Sequence, residues 1–314
     1  MLLALLKRFC GLIAALFAVA VVAFLLIDFL PGDPALNMLG TQAQEDTLAA
    51  ARTALGLDKS PLERFFIWIA GIPSGDFGIS YRYRIPVSGM LLEAAAVTVP
   101  LGLLAILMTT LIALPMGVYA AANQGKAGDS AVMAFSQIGL AVPNFWFAVL
   151  LILLFAVTLG WFDAGGFPGW SAGFFPAIKS LLLPAFALAL PQAAIIARVT
   201  RSAVLDVMGA DFIRTARAKG LSRRAALWRH GLRNALIPVV TVMGLQFAVL
   251  LAGSVIIENV FYLPGLGRLM FLAISQNDAV VVRNMVLLFA GMIMIVNFLV
   301  DLTYVLINPR LRAK

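Results

Sequence analysis

Residues Arg214–Pro238 read RTARAKGLSRRAALWRHGLRNALIP, a dense basic segment set between two long apolar ones. From Arg198 to Arg233, nine Arg and Lys stand against two acids, Asp206 and Asp211. A loop that polar cannot lie in hydrocarbon, where backbone and charged groups find no water. It therefore lies on one face of a membrane, with apolar segments crossing on either side. Its pattern of two short helical runs punctuated by Gly220 suggests a docking element for another protein.

The rest of the chain agrees with a membrane setting. The 314 residues are 62% hydrophobic and 12% charged, where soluble domains carry about 25% charged residues. Long uncharged runs occur at Phe9–Ile27, Ala94–Ala122, Ser130–Phe162, Ser180–Ala197, Ala235–Ile257 and Asn284–Val300. Roughly 20 apolar residues span a bilayer core, so six transmembrane helices are expected in an all-α membrane protein. The third run exceeds one span, and its helix is expected to stop near Leu159. The sixth is slightly short and is expected to continue past Asp301 to about Ile307. The first run follows Lys7 and Arg8. It reads as a retained signal anchor, because no small-x-small site precedes the Pro31-Gly32-Asp33-Pro34 turn and the run exceeds a typical signal core.

Cys10 is the only cysteine and His230 the only histidine. An intramolecular disulfide is excluded, as are metal sites built on paired histidines and any Cys–His pair away from Cys10. Cys10 is expected to pack as a small apolar residue. No metal ligands are expected.

Six spans place both termini on one side. That side holds 15 Arg and Lys: Lys7, Arg8, Lys126, the nine of the basic loop, and Arg310, Arg312 and Lys314. The other side holds eight, and five of these lie in the long Pro31–Glu93 segment, which the positive-inside rule largely exempts. Both termini and the basic loop are therefore expected to be cytoplasmic. Topology accounts for the net charge of +8, and no basic domain stands apart to bind nucleic acid.

The organisation is that of a first span with an outer cap (1–93), a five-helix core (94–307) with a cytoplasmic loop at 203–235, and a tail (308–314). Within the cap, helices are expected over Gln42–Leu55, closed by Gly56, and over Leu62–Ala70 after Pro61. Gly75–Gly78 then forms a turn. Asn123–Asp129 is a tight loop between the second and third spans. Pro143, Pro184 and Pro191 interrupt the third and fourth spans. Asn144 and Gln192 lie beside those breaks and, with Gln246, either line a pathway or hold helices together. Trp161 and Trp170 fit an interfacial belt, and Leu266–Ile274 is expected to form a short interfacial helix.

In the basic loop, Leu205, Met208, Phe212 and Ala216 recur at three and four, which predicts one helix face over Val204–Lys219. Arg214 and Arg217 project from another face. Gly220 suits the residue after a helix end, and Ser222 can cap the next helix. In that helix Ala225, Trp228 and Leu232 share a face, with Arg224 and Arg229 away from it. The arginines either bind anionic headgroups or flank a tip that inserts into a partner. A surface helix needs no glycine break, which favours docking.

Over nearly its whole length the chain resembles the permeases of binding-protein-dependent ABC importers, in the dipeptide/oligopeptide/nickel branch. The resemblance rests on TARAKGLS followed by RHGLRNALIP, on PGDP, LGLDKSP and GDFGISY before the second span, and on PNFW, ENVFYLPGLG and the terminal NPRLR. It departs from the general importer loop, which begins Glu-Ala-Ala with Gly six residues after the Glu. Here Arg214, Thr215 and Ala216 stand at those positions, and only the last Ala and Gly220 match. The resemblance implies a type I importer fold and a loop that couples to an ATPase through Arg214, Thr215, Ala216, Arg217, Ala218, Lys219, Gly220 and Leu221. It implies a second homologous permease, two ATPase subunits carrying ATP and Mg, an extracytoplasmic solute-binding protein and a bacterial inner-membrane location. Peptides are the implied solute, with nickel, glutathione or an opine-like solute as alternatives.

The chain has no G-x-x-x-x-G-K-[ST] phosphate loop, in keeping with a non-catalytic subunit without a cofactor of its own. A secondary carrier would place ionisable groups near the bilayer midplane. Asp28, Glu258 and Asp301 instead fall near expected helix ends. A membrane enzyme has little to work with in one His, one Cys and no clustered intramembrane carboxylates. Nothing marks the filter of a passive channel.

Overall fold

A computed structural model describes residues 2–28, 35–36 and 44–307. In chain order the helices are α1 (Leu2–Asp28), α2 (Glu45–Ala54), α3 (Pro61–Gly71), α4 (Val87–Ala122), α5 (Ala127–Ala141) and α6 (Asn144–Leu151). They continue with α7 (Phe174–Met208), α8 (Asp211–Ala218), α9 (Arg223–Ala226), α10 (Leu232–Val260), α11 (Leu266–Ser275) and α12 (Ala279–Ile307). π-Helical turns extend α6 over Ile152–Thr158 and join α9 to α10 over Leu227–Gly231. Among the described residues, five helices are long and apolar enough to cross a bilayer, and a bent pair, α5 with α6, makes a sixth when counted as one span. The Pro31–Pro34 turn and the 308–314 tail with its NPRLR lie outside the described residues.

The chain divides into two compact units, Met1–Thr98 with Pro264–Met294 and Val99–Leu263 with Ile295–Lys314. The first unit contains the segment between the first two spans. Its two expected helices form as α2 and α3. Gly56 follows α2 with φ +66°, a conformation open to glycine at little cost. At the start of α3 the Ser60 hydroxyl accepts the Glu63 N–H at 3.3 Å, and Pro61 occupies the first turn.

A ring cluster sits behind α3. Phe24 meets Phe65 edge to face with centroids 5.3 Å apart, and Trp68 is buried beside them. The Arg283 guanidinium lies 5.1 Å from the Trp68 ring centroid, within cation–π range.

Buried polar bonds then fix the chain that leaves α3. Trp68 Nε1 donates to Asn284 Oδ1 at 2.8 Å, and Asn284 Nδ2 donates to the Phe77 carbonyl at 2.7 Å. In the expected Gly75–Gly78 turn, the Gly78 N–H donates to Asp76 Oδ1 at 2.9 Å. Asp278 is buried at the N-cap of α12, where it accepts the Val281 N–H at 3.3 Å. It also accepts the Ser80 hydroxyl at 2.5 Å and the backbone N–H groups of Tyr81 and Arg82.

In the second unit α7 is central and packs on α5, α6 and α10. Its most apolar window is 67% buried. Pro184 and Pro191 lie inside one continuous helix, as Pro100 and Pro115 do in α4 and Pro238 does in α10, where neighbouring helices can satisfy the freed backbone groups. α4 approaches α7 closely at Gly117, where a Cβ would lie 2.6 Å from the Ala197 carbonyl oxygen. Only glycine fits that contact.

The third span departs from the expected single helix. α5 and the α6 rod (Asn144–Thr158) are bent by 102° across Val142–Pro143. Pro143 has no N–H, and it forces its predecessor out of the α region. Val142 accordingly has ψ 123° and Pro143 ψ 135°. Each arm has 15 residues, about 22 Å, which is shorter than a bilayer core.

Two expectations about helix extent hold. α12 continues past Asp301 to Ile307, and the short helix after the fifth span forms as α11. Trp161 and Trp170 are both exposed. Cys10 is exposed on α1 rather than packed against the chain. Glu258, expected near a helix end, is there but fully buried.

Candidate functional site

The basic segment folds as a helical hairpin, but with different breaks from those the periodicity predicts. The expected helix over Val204–Lys219 is two helices. α7 stops at Met208, Gly209 remains near helical geometry, and Ala210 is extended with ψ 151°. The predicted Leu205–Met208–Phe212–Ala216 face is therefore split between two axes. Ile213 carries the contact instead and is fully buried, whereas Phe212 is exposed.

α8 ends at a Schellman-type cap. The Gly220 N–H donates to the Arg217 carbonyl at 2.9 Å, and the Leu221 N–H donates to the Ala216 carbonyl at 3.3 Å. Gly220 has φ +94°, and a Cβ there would meet nothing within 4 Å. Backbone conformation, not space, demands glycine at the tip. Next, the Ser222 hydroxyl accepts the Ala225 N–H at 3.2 Å, as a cap should.

The second arm also differs from expectation. Ala226, Leu227 and Gly231 are buried, while Trp228 is exposed. The π-helical turn over Leu227–Gly231 adds a residue to the local period and rotates the inward face away from Ala225, Trp228 and Leu232. The arm then continues without interruption into α10.

The hairpin thus presents a polar tip on a rigid stem. Arg214, Thr215, Arg217, Ala218, Lys219 and Gly220 are exposed, with Ala216 and Leu221 half-buried. Arg214 pairs with Asp211 at 3.2 Å on the same helix, and both side chains are largely solvated. The Thr215 hydroxyl donates to the Asp211 carbonyl at 3.0 Å. Such a surface offers guanidinium and ammonium donors to an acidic or carbonyl-rich partner.

One feature of this end of the unit escaped the sequence. Asp129, at the start of α5, grips Arg201 of α7 through both oxygens, at 2.5 Å to Nε and 2.6 Å to the terminal nitrogen. Asp129 also accepts the Gly125 N–H at 3.0 Å, which ties down the loop; that loop is Asn123–Lys126, shorter than the expected Asn123–Asp129 because α5 already begins at Ala127. Arg201 is therefore a paired stem residue, not part of the free basic surface. Nothing local in the sequence marks the pair, because 72 positions separate its members.

The three polar residues singled out for a pathway do not converge. Gln192 and Gln246 line one small cavity of about 20 Å³ with Thr109 and apolar neighbours. Gln192 is buried, and its Oε1 has no hydrogen-bond partner among the described residues. Asn144 is not in that cavity; it lies near Gly253 at the start of α6.

Comparisons with known proteins cover nearly the whole chain. Residues 113–313 match the family described as binding-protein-dependent transport system inner membrane component, and residues 1–102 match its N-terminal counterpart. A protein of Brucella abortus (strain 2308) named as a peptide transport system permease is 41% identical over 307 residues, 98% of both chains. The glutathione transport system permease protein GsiC of Salmonella choleraesuis is 39% identical over 309 residues, again 98% of both. A chain of the inward-facing MetNI methionine ABC transporter superposes with a TM-score of 0.57 at 20% identity, covering 70% of this chain and 96% of that one. At that identity the likeness concerns the fold alone.

Proposed function

Because the chain belongs to the family of inner membrane components of binding-protein-dependent transport systems, we propose that it forms half of the translocation pathway of an ATP-driven peptide importer. The substrate class follows the relatives named for peptide and glutathione transport, glutathione being itself a small peptide. Nickel or an opine-like solute passing through the same architecture is the alternative reading. In this proposal the chain pairs with a second, homologous permease. Two ATPase subunits sit below, bind ATP and Mg, and carry the catalysis. This chain supplies no catalytic group and holds no cofactor. A solute-binding protein delivers peptide from the other side.

The positive-inside distribution supports an orientation with both termini and the hairpin in the cytoplasm. The observation that carries the reading is the exposed, capped tip of α8 at Gly220. A hairpin closed by a Schellman cap and anchored by Ile213 moves as a rigid lever. When ATP closes the ATPase pair, the hairpin follows and its stem turns α7 and α10, switching the pathway between inward- and outward-open forms. Arg217 and Lys219 give the polar contact, Arg214 keeps its place through Asp211, and Gly220 sets the shape of the tip. Gln192 and Gln246 are the residues we assign to the pathway wall. Asn144 instead supports the α6 contact near Gly253.

Gly220→Val tests the lever. Positive φ at a β-branched residue costs about 1–3 kcal/mol, enough to reshape the tip without disturbing the spans. The variant is expected to insert normally, to co-purify less ATPase, and to lose peptide uptake by at least about ten-fold, the change that 1.4 kcal/mol of coupling represents. Normal ATP-driven uptake by Gly220→Val would overturn the lever. Recovery of the chain without ATPase or second permease, still active in liposomes lacking ATP, would overturn the importer reading itself.

A further inference from the structure

We propose that a groove on the second unit, beside the hairpin stem, is a binding site for an anionic phospholipid of the surrounding bilayer. The groove has a volume of about 770 Å³. Its apolar walls come from Leu114, Pro115 and Val118 of α4, Val204 and Met208 of α7, and Leu236 of α10. Arg223, Arg224, Trp228, Tyr119 and Asn123 also line it. No carboxylate lines it.

Polarity is ordered along the groove. On α4 the lining runs from Leu114 through Val118 and Tyr119 to Ala122, nine residues or about 13 Å of helix, with Asn123 just beyond its end. One end suits hydrocarbon and the other suits the interface, where Trp and Tyr concentrate. An occupant must therefore be apolar over much of its length. At the other end it meets two guanidinium groups, both exposed, and neither has an ion-pair partner among the described residues. A free phosphate would leave the apolar walls uncovered, and an uncharged lipid would leave the arginines unmatched. A phospholipid with a net negative headgroup matches both, its phosphate on the guanidinium groups and an acyl chain along α4. Such an occupant would fill the space between the α4 terminus and the moving stem of α10. It would thereby link coupling to the composition of the membrane.

This inference rests on reading the chain as a bilayer-spanning permease subunit. That reading is tested by co-purification and uptake, which lipid retention leaves untouched. The intact complex is reconstituted in nanodiscs made from equal parts phosphatidylglycerol and phosphatidylcholine. Lipids retained after gentle release are then weighed by native mass spectrometry. Each arginine at a membrane surface favours an anionic lipid about five-fold, so phosphatidylglycerol is expected to exceed phosphatidylcholine by more than ten-fold.

The double variant R223Q/R224Q is expected to bring that ratio close to one. The control R229Q/R233Q alters exposed basic residues outside the groove and is expected to leave it unchanged. Val118→Trp fills the groove and is expected to lower retention of both lipids. No preference in the wild type, or an equal fall in both double variants, would overturn the site. So would retention seen only when the ATPases are absent, because the groove would then belong to the subunit contact.

Discussion

Two short helices, α3 and α8, are each placed beside long spans, and they are held in opposite ways. α3 is secured by partners far away in sequence. Trp68 reaches Asn284 across 216 positions, and Asn284 reaches back to Phe77 across 207. The first bond is buried and the second partly so. Among the described residues α8 has only local bonds: the Asp211–Arg214 pair, the Thr215 hydroxyl and the Schellman cap. One side chain, Ile213, anchors it inward. Buried polar networks specify a single arrangement, because leaving any member unmatched is costly. Local caps shape a segment without attaching it, and so leave it free to be presented. The difference separates a region built to stay from one built to be held by something else.

The largest expected effect on the fold breaks the first half of that comparison. Asn284→Leu removes the acceptor for Trp68 Nε1 and the donor to the Phe77 and Val280 carbonyls. Each orphaned buried group costs about 1–3 kcal/mol, and the total loss is expected to be about 2–4 kcal/mol after relaxation. The check is the thermal midpoint and yield of the detergent-purified protein. A midpoint equal to wild type would mean that the network around α3 is not what fixes this region.

Next comes the Asp129–Arg201 grip, which resembles the α3 anchors in reach but lies in the second unit. Asp129→Ala leaves Arg201 without its bidentate partner and releases the Gly125 N–H. A lowered midpoint and faster amide exchange over Asn123–Asp129 are expected. Arg201→Ala should do the same, and the double variant should lose no more than the worse single one. Simple additivity of the two losses would show that the pair is not coupled.

Ile213→Ala sharpens the second half. A fully buried isoleucine cut to alanine costs about 2–5 kcal/mol where the site cannot collapse. Here the cost should stay local, because α8 has no other inward anchor. Amide exchange across Asp211–Leu221 is expected to accelerate while the global midpoint holds. A fall in the global midpoint as large as that of Asn284→Leu would erase the distinction between the two helices.

The sequence reveals the caps and hides the anchors, for a physical reason. Gly56, Ser60, Pro61, Gly220 and Ser222 act on backbone within three residues of themselves, so type and position suffice to read them. Trp68–Asn284 and Asp129–Arg201 exist only after the chain has folded, and neither partner points to the other. Periodicity fails in the hairpin for a related reason. It assumes one axis and one period, whereas Ala210 changes the axis and the Leu227–Gly231 π turn changes the period. The prolines show the same limit. Pro184 and Pro191 stay within a buried helix, while Pro143 breaks a more exposed one by 102°. Burial does not sort the outcomes either, because Pro100 and Pro115 stay within α4 and Pro238 within α10, whose apolar windows are only 33% and 28% buried.

The smallest expected effect on the fold is also the most discriminating. Arg217 is exposed on α8, and its side chain forms no ion pair among the described residues. Arg217→Gln removes the charge and shortens the side chain but keeps a polar end and nearly the same helix propensity. It should therefore leave the midpoint and the exchange of α8 within error, because solvated charges away from special features contribute little. If the tip is a contact surface, ATP-driven uptake should still fall several-fold, since a guanidinium desolvated against a partner is worth far more than one in water. Uptake that is as unaffected as the fold would confine coupling to the shape set by Gly220. A loss of stability would mean that α8 leans on its arginine, and it would then be held more as α3 is.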